Sequence, residues 1–256
     1  MPKLFVCSDI HSYFEPFKKA LDEAGFDPNN ENHWLVSCGD CFDRGPDSVK
    51  LFKYLMSLER KILVRGNHDS LLQALCMRGF PYSHDQHNGT TRTVQDISGK
   101  YSAYDFADAC EITYNKLARY RELLVNYFET KNYIFVHSWI PTYIEYKGKM
   151  KPWYQEGKTH SFCEGWRYAT DNEWEDAMWG NPFKLAEQDL NKTGKTIVFG
   201  HFHTSYQWSK DGKCSEFGVD ADFNPYYGKD FIGIDGCTAH TGEVNVIVLE
   251  DDFLDN

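Results

Sequence analysis

Five short stretches of this chain gather carboxylates, imidazoles and an amide. They are Asp9-Ile10-His11; Gly39-Asp40 followed by Asp43-Arg44; Arg65-Gly66-Asn67-His68-Asp69; His137; and Gly200-His201-Phe202-His203. Mixed oxygen and nitrogen donors suit manganese, iron or zinc rather than the all-oxygen cages of calcium. A carboxylate such as Asp40 can bridge two cations, and two cations about 3.5–4 Å apart can clamp a phosphoryl group undergoing in-line displacement. Glycines beside Asp40, Asn67 and His201 let the backbone turn sharply and approach such ions. Taken singly, each stretch has a plainer reading: a turn with a surface imidazole, a Gly-Asp turn, or a helix N-cap. What argues against the plainer reading is where the five stretches fall.

Each follows a short apolar run of strand type. The runs Leu4–Cys7, Trp34–Ser37, Ile62–Val64, Tyr133–Val136, Thr196–Phe199, Phe231–Ile234 and Val244–Leu249 are β-branched or aromatic, and most end in a polar or glycine-rich turn. In open α/β sheets, ligands bind beyond the carboxyl ends of the strands. Helical stripes over Phe14–Ala24 and Asp47–Leu58 alternate with the first three runs, so the chain opens β-α-β-α-β and predicts a largely parallel sheet with helices packed on it. Asp69–Phe80 and Ala103–Glu129 read as helices and His84–Gly99 as a polar loop, while Tyr143–Lys195 is aromatic with no clear period. The simplest organisation is one domain over 1–256 with a helical cap inserted at about 70–130.

The formal net charge of −11 argues against broad electrostatic binding of nucleic acid, which needs a basic face. It also sets protein and phosphate against each other, a repulsion that bound divalent cations would relieve locally. Eight cysteines without a dense framework read as reduced thiols of a cytoplasmic protein. Met1–Val6 runs straight into strand-like sequence, so no signal peptide is expected, and no apolar run is long enough for a membrane span.

The strings Asp9-Ile10-His11, Gly39-Asp40-Cys41-Phe42-Asp43-Arg44-Gly45, Arg65-Gly66-Asn67-His68-Asp69, Val136-His137 and Gly200-His201-Phe202-His203 resemble the calcineurin-like metallophosphoesterases. Asp43-Arg44-Gly45 and Arg65 before Gly66 are similar to the phosphoprotein phosphatase branch. Within it, the bacterial and bacteriophage-type serine/threonine phosphatases and the symmetrical diadenosine tetraphosphate hydrolases are most alike. His87-Asn88-Gly89-Thr90 and Ile234-Asp235-Gly236-Cys237 share the likeness. The resemblance implies an α/β fold, a two-sheet sandwich flanked by helices, and two divalent metal ions, manganese foremost, with iron or zinc as alternatives. By the same resemblance, Asp9, His11, Asp40 and His203 hold the first metal. Asp40, Asn67, His137 and His201 hold the second. His68 is the general acid, Asp43 orients it, and Arg44 holds phosphate oxygens. One departure stands out: Asn181 occupies a position where phage-type relatives carry a phosphate-binding arginine, so a second guanidinium either comes from elsewhere, with Arg167 a candidate, or is absent.

The leading expectation is a phosphatase acting on phosphoproteins or small phosphate monoesters. A dinucleoside polyphosphate hydrolase or nucleotide phosphodiesterase is the alternative, and a metal-binding module without turnover a remote third. A pure binding site has no need of the His68–Asp43 pair. Weaker signals have plainer readings. Cys38 and Cys41 lack the second pair that a zinc site needs and read as packing thiols. His84, His87 and His160 read as surface or pocket-rim residues, and His240 as structural. Trp153, Trp166, Trp174 and Trp179 could stack a nucleobase or fill a core. Glu250, Asp251, Asp252 and Asp255 read as a solvated acidic tail.

Overall fold

The computed structural model describes residues 1–146 and 158–253. Its first sheet has the order β12-β1-β2-β3-β4, built from β1 (Lys3–Cys7), β2 (His33–Ser37), β3 (Lys61–Val64), β4 (Leu124–Val125) and β12 (Val246–Glu250). The second has the order β10-β11-β9-β6-β5, built from β5 (Phe128–Glu129), β6 (Tyr133–Phe135), β9 (Thr196–Phe199), β10 (Tyr226–Tyr227) and β11 (Phe231–Gly233). β7 (Thr142–Tyr146) and β8 (Lys158–Phe162) form a separate antiparallel pair. In the first sheet β1 to β4 run parallel and β12 joins antiparallel; in the second, β6, β9 and β11 run parallel.

Alternation of side chains along each strand builds three cores. Leu4, Val6, Val36 and Val64 of the first sheet meet Phe135, Val198 and Ile232 of the second. The opposite faces, Phe5, Cys7, Leu35 and Leu63 on one side and Ile134, Ile197 and Phe199 on the other, pack under helices and aromatic loops. Strands buried on both faces read as unbroken apolar runs, which is why the expected strands agree with the observed ones to within a residue or two. Each fully buried aliphatic side chain contributes roughly 1.5–3 kcal/mol.

The helices over the first sheet are α1 (Phe14–Glu23), α2 (Ser48–Ser57), α3 (Asn67–Arg78), α4 (Ser83–His87), α5 (Thr90–Ser98), α6 (Phe106–Lys116) and α7 (Ala118–Leu123). Two expectations change here. The polar stretch read as a loop over 84–99 holds α4 and α5: Thr90, Thr93, Val94 and Ile97 form the buried stripe of α5, with threonines standing where apolar residues are usual. The helical reading of 103–129 ends at Leu123, where Leu124 and Val125 pair with Leu63 and Val64 before the chain crosses to the second sheet. Over the second sheet lie α8 (Asp171–Met178), α9 (Pro182–Ala186), α10 (Thr204–Lys210) and α11 (Thr238–Thr241). Among the described residues, no helix is long and apolar enough to cross a membrane.

A third correction concerns the acidic C-terminal stretch. Asp251 is buried, and its carboxylate accepts hydrogen bonds from Thr130 Oγ1, Asn132 N and Asn132 Nδ2, each at 2.7 Å. It thus ties the end of β12 to the β5–β6 turn, one sheet to the other. Asp255 lies outside the described residues. Burial works to raise the pKa of Asp251, but these donors outweigh it and hold the group below the ordinary aspartate range. Asp251→Ala should lower the unfolding free energy by about 1–3 kcal/mol in denaturant titrations at neutral pH. A depressed folded-state pKa gives stability that is present above the unfolded value and lost as pH falls through the folded one. The difference between wild type and variant should therefore shrink in acid.

Candidate metal centre and proton donor

The parallel strands of both sheets end on one edge, and each end delivers donors there. β1 leads to Asp9 and His11, β2 to Asp40, β3 to Asn67, β6 to His137, and β9 to His201 and His203. The connecting loops pay a conformational cost. Asp9, His11, Asp40, Asp43, Arg44 and His201 all adopt left-handed backbone, with φ between 49° and 75°, a region costing about 1–3 kcal/mol for residues other than glycine. Backbone bonds lock the loops together: Asp9 N–H donates to Gly39 O, His11 N–H to Asp40 O, and Gly200 N–H to His137 O.

The side chains then meet as acceptors. Asp40 Oδ1 takes the His68 backbone N–H at 2.9 Å. That leaves Oδ2 facing His137 Nε2 at 3.5 Å, His11 Nε2 at 3.8 Å and His68 Nε2 at 3.9 Å. Asp9 Oδ2 accepts from Ser8 Oγ at 2.6 Å and His201 N at 2.8 Å, while Oδ1 looks toward His11 Nε2 at 3.8 Å. His11 Nδ1 donates to Phe42 O at 3.0 Å and His137 Nδ1 to Cys38 O at 2.8 Å. With Nδ1 so engaged, each ring in its neutral form presents Nε2 to the cluster as a lone-pair donor. His11 Nε2 is buried with no hydrogen-bond partner. His137 Nε2 lies 2.8 Å from Asn67 Oδ1 and 3.2 Å from His201 Nδ1, and His201 Nδ1 lies 3.1 Å from Asn67 Oδ1.

Such a gathering of lone pairs repels itself unless a cation sits among them. The protonation energetics agree. Burial, then Asp235 and Asp40, pushes the Asp9 carboxyl well up. Burial would do the same to Asp40, but His137, His68 and His11 outweigh it and hold Asp40 well below the carboxylate range. Burial, with His137, lowers His201 to about 3; burial and Arg44 lower His11. Neutral imidazoles beside buried carboxylates are what divalent ions require. Two triads, Asp9–Asp40–His137 and His11–Asp40–His68, hold their ligand atoms within 4.8 Å of one another. The donor set fits divalent cations.

Beside the cluster stands the dyad. His68 Nδ1 donates to Asp43 Oδ2 at 2.8 Å. The fully buried Asp43 also accepts from Thr90 Oγ1 at 2.7 Å and Thr93 Oγ1 at 2.9 Å, both on α5. Arg44 Nη2 donates to neutral His68 Nε2 at 3.3 Å and is otherwise exposed. Burial pulls the His68 pKa down, yet Asp40 and the Asp43 hydrogen bond more than offset it, so the net shift is upward.

His203 Nε2 donates to Glu216 Oε1 at 3.0 Å, and its ring packs on Phe202 and Phe217. Arg167 is bound to Glu129, and Asn181 caps α9. Trp166 and Trp174 are core residues and Trp153 lies outside the described residues. Trp179 is half exposed, with its ring 6.5 Å from that of His201, and it borders a cavity of about 570 Å³. Two participants were not singled out from sequence. Asp235, at the end of β11, is a buried carboxylate close enough to raise Asp9; it lay within a recognised string without a role. Glu216 sits in a segment with no pattern to flag it. Cys38 and Cys41 are free and buried, with burial raising both thiols.

A family profile described as calcineurin-like phosphoesterase matches residues 2–242. A symmetrical bis(5'-nucleosyl)-tetraphosphatase of Buchnera aphidicola is 40% identical over 72 residues, which is 28% of this chain and 26% of that relative's length. The enzyme of the same description from Pseudomonas fluorescens is 28% identical over 227 residues, 87% of this chain and 72% of the relative. In three dimensions the chain is similar to a cold-active protein-tyrosine phosphatase of a psychrophile Shewanella sp., with TM-score 0.51 at 12% identity, over 98% of this chain and 76% of that one. This last likeness concerns the fold.

Gly66 gives the geometry a direct test. A Cβ there would lie 2.1 Å from Asp40 Oδ1 and 2.5 Å from Asp40 N. Gly66→Ala should displace Asp40 and weaken manganese binding at least tenfold by calorimetry, with the circular dichroism of the fold retained. Unchanged metal binding would contradict the arrangement.

Proposed function

The chain belongs to the calcineurin-like phosphoesterase family, and from that premise we propose that it hydrolyses phosphate esters with two divalent cations held at the strand-end cluster. The observation that carries this reading is the convergence of imidazole nitrogens on the free oxygen of Asp40, next to an intact His68–Asp43 dyad. Asp9, His11 and Asp40 would hold one cation; Asp40, Asn67, His137 and His201 the other. His203, engaged by Glu216 through Nε2, would reach the first cation only through Nδ1. Bound there, divalent cations supply Lewis acidity toward the phosphoryl oxygens and make water acidic enough to attack at neutral pH; manganese is the first to test.

The remaining work falls to the protein. Exposed Arg44 offers a planar pair of donors to phosphoryl oxygens. His68 donates the proton from Nε2 to the departing oxygen. Asp43 holds the opposite ring nitrogen, fixing the ring's orientation and stabilising its charged form. The two threonines of α5 keep Asp43 from turning away.

For the substrate, two readings have separate support. The relatives described as symmetrical bis(5'-nucleosyl)-tetraphosphatases favour a dinucleoside polyphosphate. Trp179, half exposed near His201, offers a base a surface to stack on. The His68–Asp43 dyad favours a phosphate monoester with a poor leaving group, since a nucleotide leaving group departs with less help from an acid. Diadenosine tetraphosphate, a phosphoserine peptide and bis-p-nitrophenyl phosphate, compared by kcat/KM with added manganese, separate the readings. Failure on all three, with metal bound, would leave only a binding module.

Two substitutions test the roles. Asp40→Asn should abolish turnover and release metal, which metal analysis of the purified variant checks. His68→Asn should retain metal but lower kcat by roughly 10²–10⁴ on an alkyl phosphate. On p-nitrophenyl phosphate the loss should be much smaller, and equal losses on both would contradict the acid role.

A further inference from the structure

Beside α3, a second cavity of about 570 Å³ opens where the chain crosses from the first sheet to the second. Its walls carry Arg65, Arg121 and Arg167, against one lining carboxylate, Asp171. In a chain of net charge −11, three guanidinium groups around one cavity call for an account. Arg167 has one, since Glu129 holds it in a two-pronged ion pair. Among the described residues the other two have no such ion pair.

Arg65 is half-buried, and its Nε and Nη2 are buried without any hydrogen-bond partner. Arg121 is also half-buried. It spends one N–H on the Tyr114 carbonyl at 2.5 Å and lays its guanidinium over the Tyr114 ring, 3.7 Å from the centroid. Among the described residues neither has a carboxylate partner. Partly desolvated guanidinium groups without a counter-charge are unfavourable, and each unmet donor adds to the cost. An anion between them would supply the missing counter-charge. The planar fork of arginine matches the oxygens of phosphate in particular. Gln73 and Asn126, also on the wall, add amide donors.

We propose that Arg65 and Arg121 form an oxyanion site for a phosphate-bearing ligand, separate from the metal centre. The site is tied to that centre through the backbone. Arg65 N–H donates to Val125 O at the cavity wall, and the next residue, Gly66, packs against Asp40. An anion held there would brace the loop that carries Asn67 and His68.

The test uses the full chain stripped of metal with chelator, so that the cation cluster does not capture the anion. Calorimetric titration with pyrophosphate should give saturable binding at about one site per chain, with malonate markedly weaker. Arg121→Met should weaken pyrophosphate binding at least tenfold, and Arg121→Lys less. Arg65→Met should do the same if it folds, which its thermal melt reports; Arg121→Met carries the test if it does not. Absence of saturable binding in wild type would overturn the proposal. So would binding that survives Arg121→Met and disappears in Arg44→Met, because the anion would then belong to the metal centre. Hydrolysis by the metal-loaded protein is measured separately and can fail or succeed independently of this site.

Discussion

The structure is organised around an electrostatic conflict. Asp9, Asp40 and Asp235 are carboxylates buried close together, and around them His11, His137 and His201 turn unprotonated nitrogens inward. Burying one unpaired charge is already unfavourable. Gathering several acceptors is more unfavourable still, and cations among them would relieve it. The fold does not relax the conflict by turning these side chains to solvent. It enforces it with left-handed backbone at six of the functional residues and with glycines packed where no side chain fits. Strain of this kind persists only when the surroundings over-determine it, and here the surroundings are two sheets whose strand ends are bonded to one another.

That bonding explains why a two-sheet sandwich suits the task. Neither sheet holds the set alone: Asp9, Asp40 and Asn67 come from one, His137 and His201 from the other. The His201 N–H to Asp9 bond and the Asp40–His137 approach both cross the interface. Cations at this seam would add cross-links between the sheets, so metal affinity and fold stability are thermodynamically linked. At the opposite end, buried Asp251 joins the sheets by hydrogen bonds alone, without gathering other charges.

Much of this could be read from the sequence, for physical reasons that also mark where reading stopped. Strands buried on both faces must be apolar throughout, so β1, β2, β3, β6 and β9 stand out, and polar residues just past them are conspicuous. The helix α5 was missed because Thr90 and Thr93 occupy its inward stripe. Those threonines are polar because they hold Asp43, so the local hydrophobic signal was exchanged for a functional one. Asp251 was misread because acidic residues near a terminus are usually solvated, and its partners Thr130 and Asn132 lie some 120 positions away in sequence. Glu216 and the engaged state of His203 depend on how a long loop folds back, which no spacing encodes.

The same reasoning bears on how an acidic protein handles an acidic substrate. Net charge acts at long range and is screened within about 8–10 Å at physiological ionic strength, whereas the phosphoryl group responds to what lies within hydrogen-bonding reach. There the chain offers Arg44, exposed and poised over His68. Its guanidinium also lowers the tendency of His11 to protonate, so one positive charge would serve both to attract phosphate and to keep a nitrogen free for a metal. Asp43 works in the opposite sense on the neighbouring ring, favouring the proton on His68. Two imidazoles whose rings lie 4.8 Å apart are thus driven toward opposite states, one a lone-pair donor and one a proton donor. Charges placed a few ångströms apart, not the overall balance, divide the chemistry between them.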